Sequence, residues 1–231
     1  MKLTAEGISR TFFRNGKDTN FFYAVEKTDI ELEEGKITEI VGRSGSGKTT
    51  LSNMLAGLLT PTEGRVLLDG KDLYAMDDGT RSSIRNSCIG VVPQGQTGLQ
   101  ALTVLENILA PVAMYGEASK KEARALELME MLDISELKDV FSNELSGGEL
   151  RRMSIARALI NDPGIVIADE PTGDLDDDTT ELVLKLFRDL ADNGTAVLLV
   201  THEREALKYA DVIMRMDKGI LIKESARITA V

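Results

Sequence analysis

The chain has 231 residues, 42% of them hydrophobic, and a formal net charge of −11 from 38 acidic and 27 basic side chains. That length and apolar content can fill the core of one large domain, and the single cysteine, Cys88, excludes an intrachain disulfide and is expected to be a small buried hydrophobe. The acidic balance opposes sequence-independent binding along a nucleic-acid backbone, and the single histidine, His202, excludes a multi-histidine metal centre.

The first residues, Met1-Lys2-Leu3-Thr4-Ala5-Glu6, lack the apolar core of a signal peptide, and no apolar run approaches the ~20 residues of a membrane span. The expectation is a cytosolic chain that meets a membrane only by docking to another protein. Residues 1–41 alternate short apolar runs with polar turns, which predicts a β-rich N-terminal portion. Phe12 and Phe13 precede an Asn15-Gly16 turn; either ring could stack on a base, or both could be ordinary strand residues.

Gly42-Arg43-Ser44-Gly45-Ser46-Gly47-Lys48-Thr49-Thr50 follows the apolar residues Ile37, Ile40 and Val41 and precedes a plausible helix over 51–57. Strand, glycine loop and helix are the context in which Gly, four residues, Gly-Lys-Ser/Thr cradles a polyphosphate: backbone N–H groups turn inward, the helix N-terminus adds partial positive charge, and Lys48 reaches the β- and γ-phosphates. Beyond it, 60–64 reads as a turn and 65–70 as a strand ending in Asp69-Gly70. A polar stretch over 77–86 leads to the β-type run Ile89-Gly90-Val91-Val92, which stops at Pro93 and leaves Gln94 at a strand exit.

Residues 102–133 turn helical and predict a helical subdomain inserted in an α/β core. Ser119 and Glu122 have the spacing of a capping box, and Leu126, Met129 and Leu132 are expected to form a core stripe. Leu145-Ser146-Gly147-Gly148-Glu149 opens the next helix. A capping box explains Ser146 and Glu149 but not Gly147 and Gly148, since glycine costs about 1 kcal/mol inside a helix. The pair implies close approach of another molecule and a second phosphate-binding helix start.

An apolar run over 165–168 then meets Asp169 and Glu170. Magnesium-bound nucleotide needs one acid near the metal and another near the attacking water. Asp176, Asp177 and Asp178 begin a helix through Leu182, Leu186 and Leu190, and their charge complements the helix dipole rather than forming a metal site. The strand-like run over 196–201 ends at His202, so Gln94, Asp169 and His202 all sit at strand exits, where ligands gather in open α/β sheets. Residues 212–216 and 220–222 around Lys218-Gly219 read as a closing hairpin.

In this order the motifs resemble those of the ATP-binding cassette (ABC) ATPases, the nucleotide-hydrolysing subunits of ABC transporters. Residues 42–49 correspond to the Walker A loop, Gln94 to the Q-loop, 145–149 to the signature motif, 165–170 to Walker B with its following glutamate, 173–176 to the D-loop and His202 to the switch histidine. The resemblance implies ATP and Mg²⁺ as ligands. Gly42 and Ser44 belong to the loop, backbone groups of Gly45, Ser46, Gly47, Lys48, Thr49 and Thr50 hold the phosphates with the Lys48 side chain, and Thr49, Gln94 and Asp169 serve magnesium. Glu170 would polarise the attacking water and His202 would touch the γ-phosphate. Ser146, Gly147 and Gly148 would bind the γ-phosphate held by a second ABC subunit, identical or not. The family's adenine-stacking aromatic, often tyrosine, maps to Phe12, with Phe13 as the alternative.

The resemblance also implies one ABC ATPase domain over 1–231: an α/β P-loop core with a β-rich part over 1–93, then the Q-loop, helical subdomain and signature helix over 94–160, and the rest of the core over 161–231. Separate membrane permease subunits would be the partners, nucleic acid would not, and the chain would sit peripherally on the inner face of the cell membrane. Leu102-Thr103-Val104-Leu105-Glu106-Asn107, Pro111 and residues 171–176 are similar to the cassettes of macrolide-export and lipoprotein-release systems, pointing to export or release of a peptide, lipoprotein or drug-like substrate. Residues 95–100 depart from the apolar, proline-containing stretch usual there, on a surface that meets the membrane subunit. A soluble ABC ATPase for assembly or remodelling, of the iron–sulfur scaffold or cell-division type, is the alternative.

Overall fold

The computed structural model describes residues 1–13, 21–95, 98–202 and 206–224. Two long strands, β1 (Leu3–Phe13) and β2 (Phe21–Leu32), lead to β3 (Ile37–Val41) and α1 (Lys48–Leu55). Next come β4 (Glu63–Leu68), β5 (Lys71–Asp72), α2 (Asp78–Cys88) and β6 (Ile89–Val92). Three helices, α3 (Val104–Ala113), α4 (Ala118–Met131) and α5 (Gly147–Leu159), precede β7 (Ile165–Asp169), α6 (Asp177–Asp192) and β8 (Ala196–Thr201). The hairpin of β9 (Val212–Asp217) and β10 (Ile220–Glu224) follows. The Asn15-Gly16 turn lies outside the described residues.

The continuous apolar runs become the inner strands of one sheet, ordered β10-β9-β3-β8-β7-β6, parallel throughout except for the β9–β10 pair. Strands without a polar face need cover on both sides. Ile37, Val166, Val197 and Leu199 pack with Met153 of α5 and Phe187 of α6 on one side. Ile40, Ile167, Leu198 and Val200 pack with Leu51 and Met54 of α1 and with Leu3, Ile8 and Ile30 of the second sheet on the other. That second sheet is antiparallel, ordered β2-β1-β4-β5. The fold is therefore an α/β core with a β-rich N-terminal part and a helical segment. The register sets Val41 opposite Thr201 and Asp169 opposite Val200, so β3, β7 and β8 deliver their C-terminal loops to one edge.

Three local readings change. The polar stretch over 77–86 is largely helix: Asp77 caps α2 by accepting from the Thr80 N–H at 2.9 Å, and no residue of α2 is buried, so no apolar stripe announced it. Ser119 does not cap α4, which starts one residue earlier after Glu117 with no side-chain cap bond; the capping box of this region is Thr103 with Glu106, on α3. The buried face of α4 and its end is Ala125, Leu128, Met129 and Leu132, whereas Leu126 is 40% exposed. A strict spacing of three falls behind the 3.6-residue turn, so the expected stripe drifts off the core. Met114 and Met131 are exposed as well, and Cys88 is only half-buried.

Glu39, in the middle of β3, is fully buried, and neither carboxylate oxygen has a hydrogen-bond partner. Burial pushes its pKa up to about 8 from 4.5. The folded chain therefore holds a proton that the unfolded chain releases above pH 4.5, so stability should fall as pH rises from about 4.5 through about 8. Glu39→Gln should flatten this decline and be more stable than the parent at pH 9 by on the order of 3 kcal/mol, with a much smaller difference at pH 5. Urea unfolding across that pH range measures it; equal pH dependence in both proteins would refute it.

Candidate functional site

The loop between β3 and α1 is fixed by how little room it has. Gly47, at the N-terminus of α1, has φ 109°, a left-handed conformation that favours glycine. A Cβ there would collide with the Ala24 carbonyl oxygen of β2, and one at Gly42 would collide with the Met216 carbonyl oxygen of β9. The Ser46 carbonyl accepts from the Gly219 N–H at 2.8 Å, and the Gly219 carbonyl accepts from Glu26 at 2.8 Å, which ties the loop to the β9–β10 turn and to β2. Lys48 is buried, and its Nζ donates to the Gly42 carbonyl at 2.7 Å and the Arg43 carbonyl at 3.3 Å.

A cavity of about 1090 Å³ opens over this loop. It is lined by Phe12, Ser44, Gly45, Gly47, Lys48, Thr49, Thr50, Gln94, Asp169, Glu170 and His202, which brings most of the expected site residues together. Gly42 and Ser46 do not line it. Ser46 is buried, and Gly42 is pressed against β9. Phe12 packs 6.0 Å from Phe22 with the rings tilted by 31°, and the Arg10 guanidinium lies 4.7 Å from the Phe12 ring centre. Phe13 is 84% exposed and does not line the cavity.

At the strand exits, Thr49 Oγ1 donates to Gln94 Oε1 at 3.2 Å. Asp169 is buried with both carboxylate oxygens lacking a hydrogen-bond partner. Burial and the neighbouring Glu170 raise its pKa, while Thr49, Lys48 and Arg151 oppose the shift. Unpartnered carboxylate oxygens beside a hydroxyl and an amide oxygen are hard donors that suit Mg²⁺. That ion retains waters and phosphate oxygens among its ligands and does not require a full protein cage. Among the described residues no cluster of three or more His, Cys, Asp or Glu side chains could hold a metal alone.

Glu170 takes φ 51°, an uncommon conformation for a glutamate that costs about 1–3 kcal/mol. Its N–H donates to the Val200 carbonyl at 2.7 Å, and both its carboxylate oxygens lie 3.0 Å from Nδ1 of His202. The acid is thus aimed into the cavity by β8 and by the histidine that follows it.

Ser146, Gly147 and Gly148 lie elsewhere. They line a separate surface depression with Glu149, Arg152, Asp174, Leu175, Asp176 and Thr179. The capping box forms: the Ser146 N–H and hydroxyl donate to Glu149 Oε2 at 2.7 and 2.6 Å, and these bonds, with Arg152, hold the Glu149 carboxyl below its usual pKa. A Cβ on Gly148 would lie 3.3 Å from the end of the Leu175 side chain and 3.4 Å from the Asp174 carbonyl, a tight fit that a small shift of Leu175 could accommodate. Phe22, Tyr23 and Arg151 line the main cavity but were missed among the sequence candidates. Phe22 could have been found from strand register, since it pairs directly with Phe12.

Residues 25–173 match the family described as ABC transporter. The chain is 37% identical over 221 residues, 95% of its length and 91% of the relative's, to the lipoprotein-releasing system ATP-binding protein LolD of Xanthomonas campestris pv. campestris strain 8004. It superposes on the dimeric structure of MJ0796, a bacterial ABC transporter cassette, with a TM-score of 0.90 and 32% identity, covering 97% of this chain and 99% of that one. The post-hydrolysis dimer of the same cassette, bound to ADP and Pi, gives a TM-score of 0.88 at 31% identity, with coverage of 97% and 99%.

The unpartnered Asp169 should make the nucleotide-free protein less stable than it could be. Asp169→Asn, which cannot ionise, is expected to raise its thermal midpoint by about 3 °C, equivalent to roughly 1 kcal/mol. Because the folded carboxyl titrates above its ordinary 3.8, the gap should widen as pH rises beyond that value. Calorimetry at pH 5 and pH 8 measures it; a lowered midpoint at both would show that the carboxylate is already compensated.

Proposed function

Since the chain belongs to the ABC transporter family as one of its ATP-binding cassettes, we propose that it binds and hydrolyses ATP between two copies of itself or a close relative and drives separate permease subunits. One observation carries the two-copy reading: the signature glycines open onto a surface depression apart from the cavity that gathers the phosphate loop, Gln94, Asp169, Glu170 and His202. A helix start suited to phosphate that does not line the cavity of its own phosphate loop calls for a nucleotide carried by another molecule.

In this reading the N–H groups of residues 45–50 and the Lys48 ammonium hold the phosphates, and Phe12 stacks on adenine with Phe22 behind it. Thr49, Gln94 and Asp169 hold Mg²⁺, which supplies charge neutralisation at the phosphate oxygens. Glu170 accepts a proton from the attacking water or orients it, while His202 keeps that carboxylate in place and reaches the γ-phosphate. From the other copy, Ser146, Gly147 and Gly148 close the site; the Ser146 hydroxyl has one hydrogen and must turn from Glu149 to donate to a phosphate. The divisions at 93/94 and 160/161 separate the phosphate-loop side, the helical side and the Walker B side of one cassette.

No helix among the described residues is long and apolar enough to cross a membrane. Leu99, Met114, Tyr115 and Phe141 are exposed on and beside the helical segment and offer an apolar surface for a permease on the inner face of the membrane. The relatives named as lipoprotein-releasing ATP-binding proteins favour lipoprotein release, over drug or peptide export, as the work performed. They also favour transport over soluble assembly.

Two variants test the mechanism. Glu170→Gln should retain ATP binding, lose turnover by about 10²-fold or more, and accumulate an ATP-bound dimer in sizing chromatography. Ser146→Arg should block hydrolysis while leaving the ATP affinity of the single copy nearly intact. Near-normal turnover in the first, or collapsed affinity in the second, would contradict the assigned roles. Detergent extraction that recovers the chain with a multi-span membrane protein supports transport; recovery only in soluble complexes counts against it.

A further inference from the structure

Arg151 stands out because it breaks the usual rule for a helix arginine. It lies one turn beyond the signature glycines on α5, yet it is only 4% exposed. Burying a guanidinium is unfavourable unless partners compensate its lost hydration. Its Nη1 donates to the Pro93 carbonyl at 2.8 Å; burial lowers its pKa, and the carboxylates of Asp174, Asp169 and Glu170 offset part of that shift. Pro93 is the residue before Gln94, and Gln94 accepts from Thr49 of the phosphate loop. A short bonded path therefore runs from Thr49 through Gln94 and Pro93 to Arg151. About 6 Å further along the α5 axis it arrives at Gly147.

We propose that Arg151 is a positioning residue that couples a chain's own nucleotide site to the signature surface it offers to the other copy. A nucleotide that draws Thr49 and Gln94 toward its phosphates moves the Pro93 carbonyl. Arg151 passes that movement to a rigid helix whose first turn must meet the other copy's phosphate. Gly148, on the first turn of the same helix, faces the Asp174 carbonyl and the Leu175 side chain. The inference rests on the two-copy reading of the site and adds the residue that connects the two halves within one chain.

The test separates coupling from binding. Arg151→Met keeps the apolar stem and removes the donor and the charge; Arg151→Lys keeps the charge and one donor; Arg151→Gln keeps a donor without charge. In a Glu170→Gln background, the ATP concentration that half-saturates dimer formation is read by analytical ultracentrifugation. In a Ser146→Arg background, single-copy affinity is read by titration with a fluorescent ATP analogue. Arg151→Met should raise the dimerisation midpoint by about tenfold while changing single-copy affinity by no more than about threefold, and Arg151→Lys should recover most of the loss. An unchanged midpoint overturns the proposal, as does a parallel loss of affinity and dimerisation. If Arg151→Met fails to fold in urea unfolding controls, Lys against Gln carries the comparison: equal dimerisation to the parent in both overturns it. Absence of an ATP-driven dimer in the Glu170→Gln parent overturns the two-copy reading and this inference with it. A dimer that forms equally well with and without the Arg151 guanidinium overturns this inference alone.

Discussion

Two glycine α-carbons pressed against backbone carbonyls join both sheets to the phosphate loop. Gly42 meets the Met216 carbonyl of the parallel sheet and Gly47 meets the Ala24 carbonyl of the antiparallel one, so the loop is held where the sheets converge. Neither contact leaves room for a side chain. Hydrogen bonds from Gly219 to Ser46 and from Glu26 to Gly219 close the same joint. A rigid loop can present its N–H groups without first ordering itself, which is the condition for fixed dipoles to bind polyphosphate. The aromatic side of the cavity comes from β1 and β2 for the same reason: clamping β2 against the loop brings Phe12 and Phe22 over it.

Two features of the site cost the fold stability. Asp169 is buried with no hydrogen-bond partner on either carboxylate oxygen, and Glu170 occupies a strained backbone conformation. A divalent cation is the kind of ligand that would compensate the Asp169 carboxylate. Sites of this kind trade stability for preorganisation. Glu39 has the same unpartnered burial in β3, but it does not line the cavity, and the nucleotide chemistry does not account for it.

Much of this was legible in the sequence because it is encoded in contiguous residues. Apolar runs leading to Gln94, Asp169 and His202 read directly as strands, and their exits meet in one cavity. The Ser146–Glu149 cap and the glycine loop each carry their geometry within a few residues. What could not be read depends on contacts distant in sequence. Arg151 looks like a solvated helix charge until Pro93, 58 residues earlier, is folded beneath it. Phe22 becomes a site residue only through strand register. Helix α2 buries no residue, and along α4 a three-residue spacing reaches the buried Met129 and Leu132 but also takes in the exposed Leu126. Gly148 faces Asp174 and Leu175 of its own chain, a neighbourhood that only the fold reveals.

In the proposed mechanism the phosphate loop is half of a composite site, completed by residues 145–149 of another copy. Mixing two inactive variants tests this most directly. Lys48→Ala removes the phosphate lysine and Ser146→Arg blocks the signature surface, so each homodimer carries two defective sites. A mixed dimer places the intact loop of one chain against the intact signature of the other. ATP hydrolysis that is near zero for each variant alone and reappears on mixing in equal amounts is the expected result. Hydrolysis by Ser146→Arg alone at the parent rate, or a mixture no more active than its components, would contradict the account.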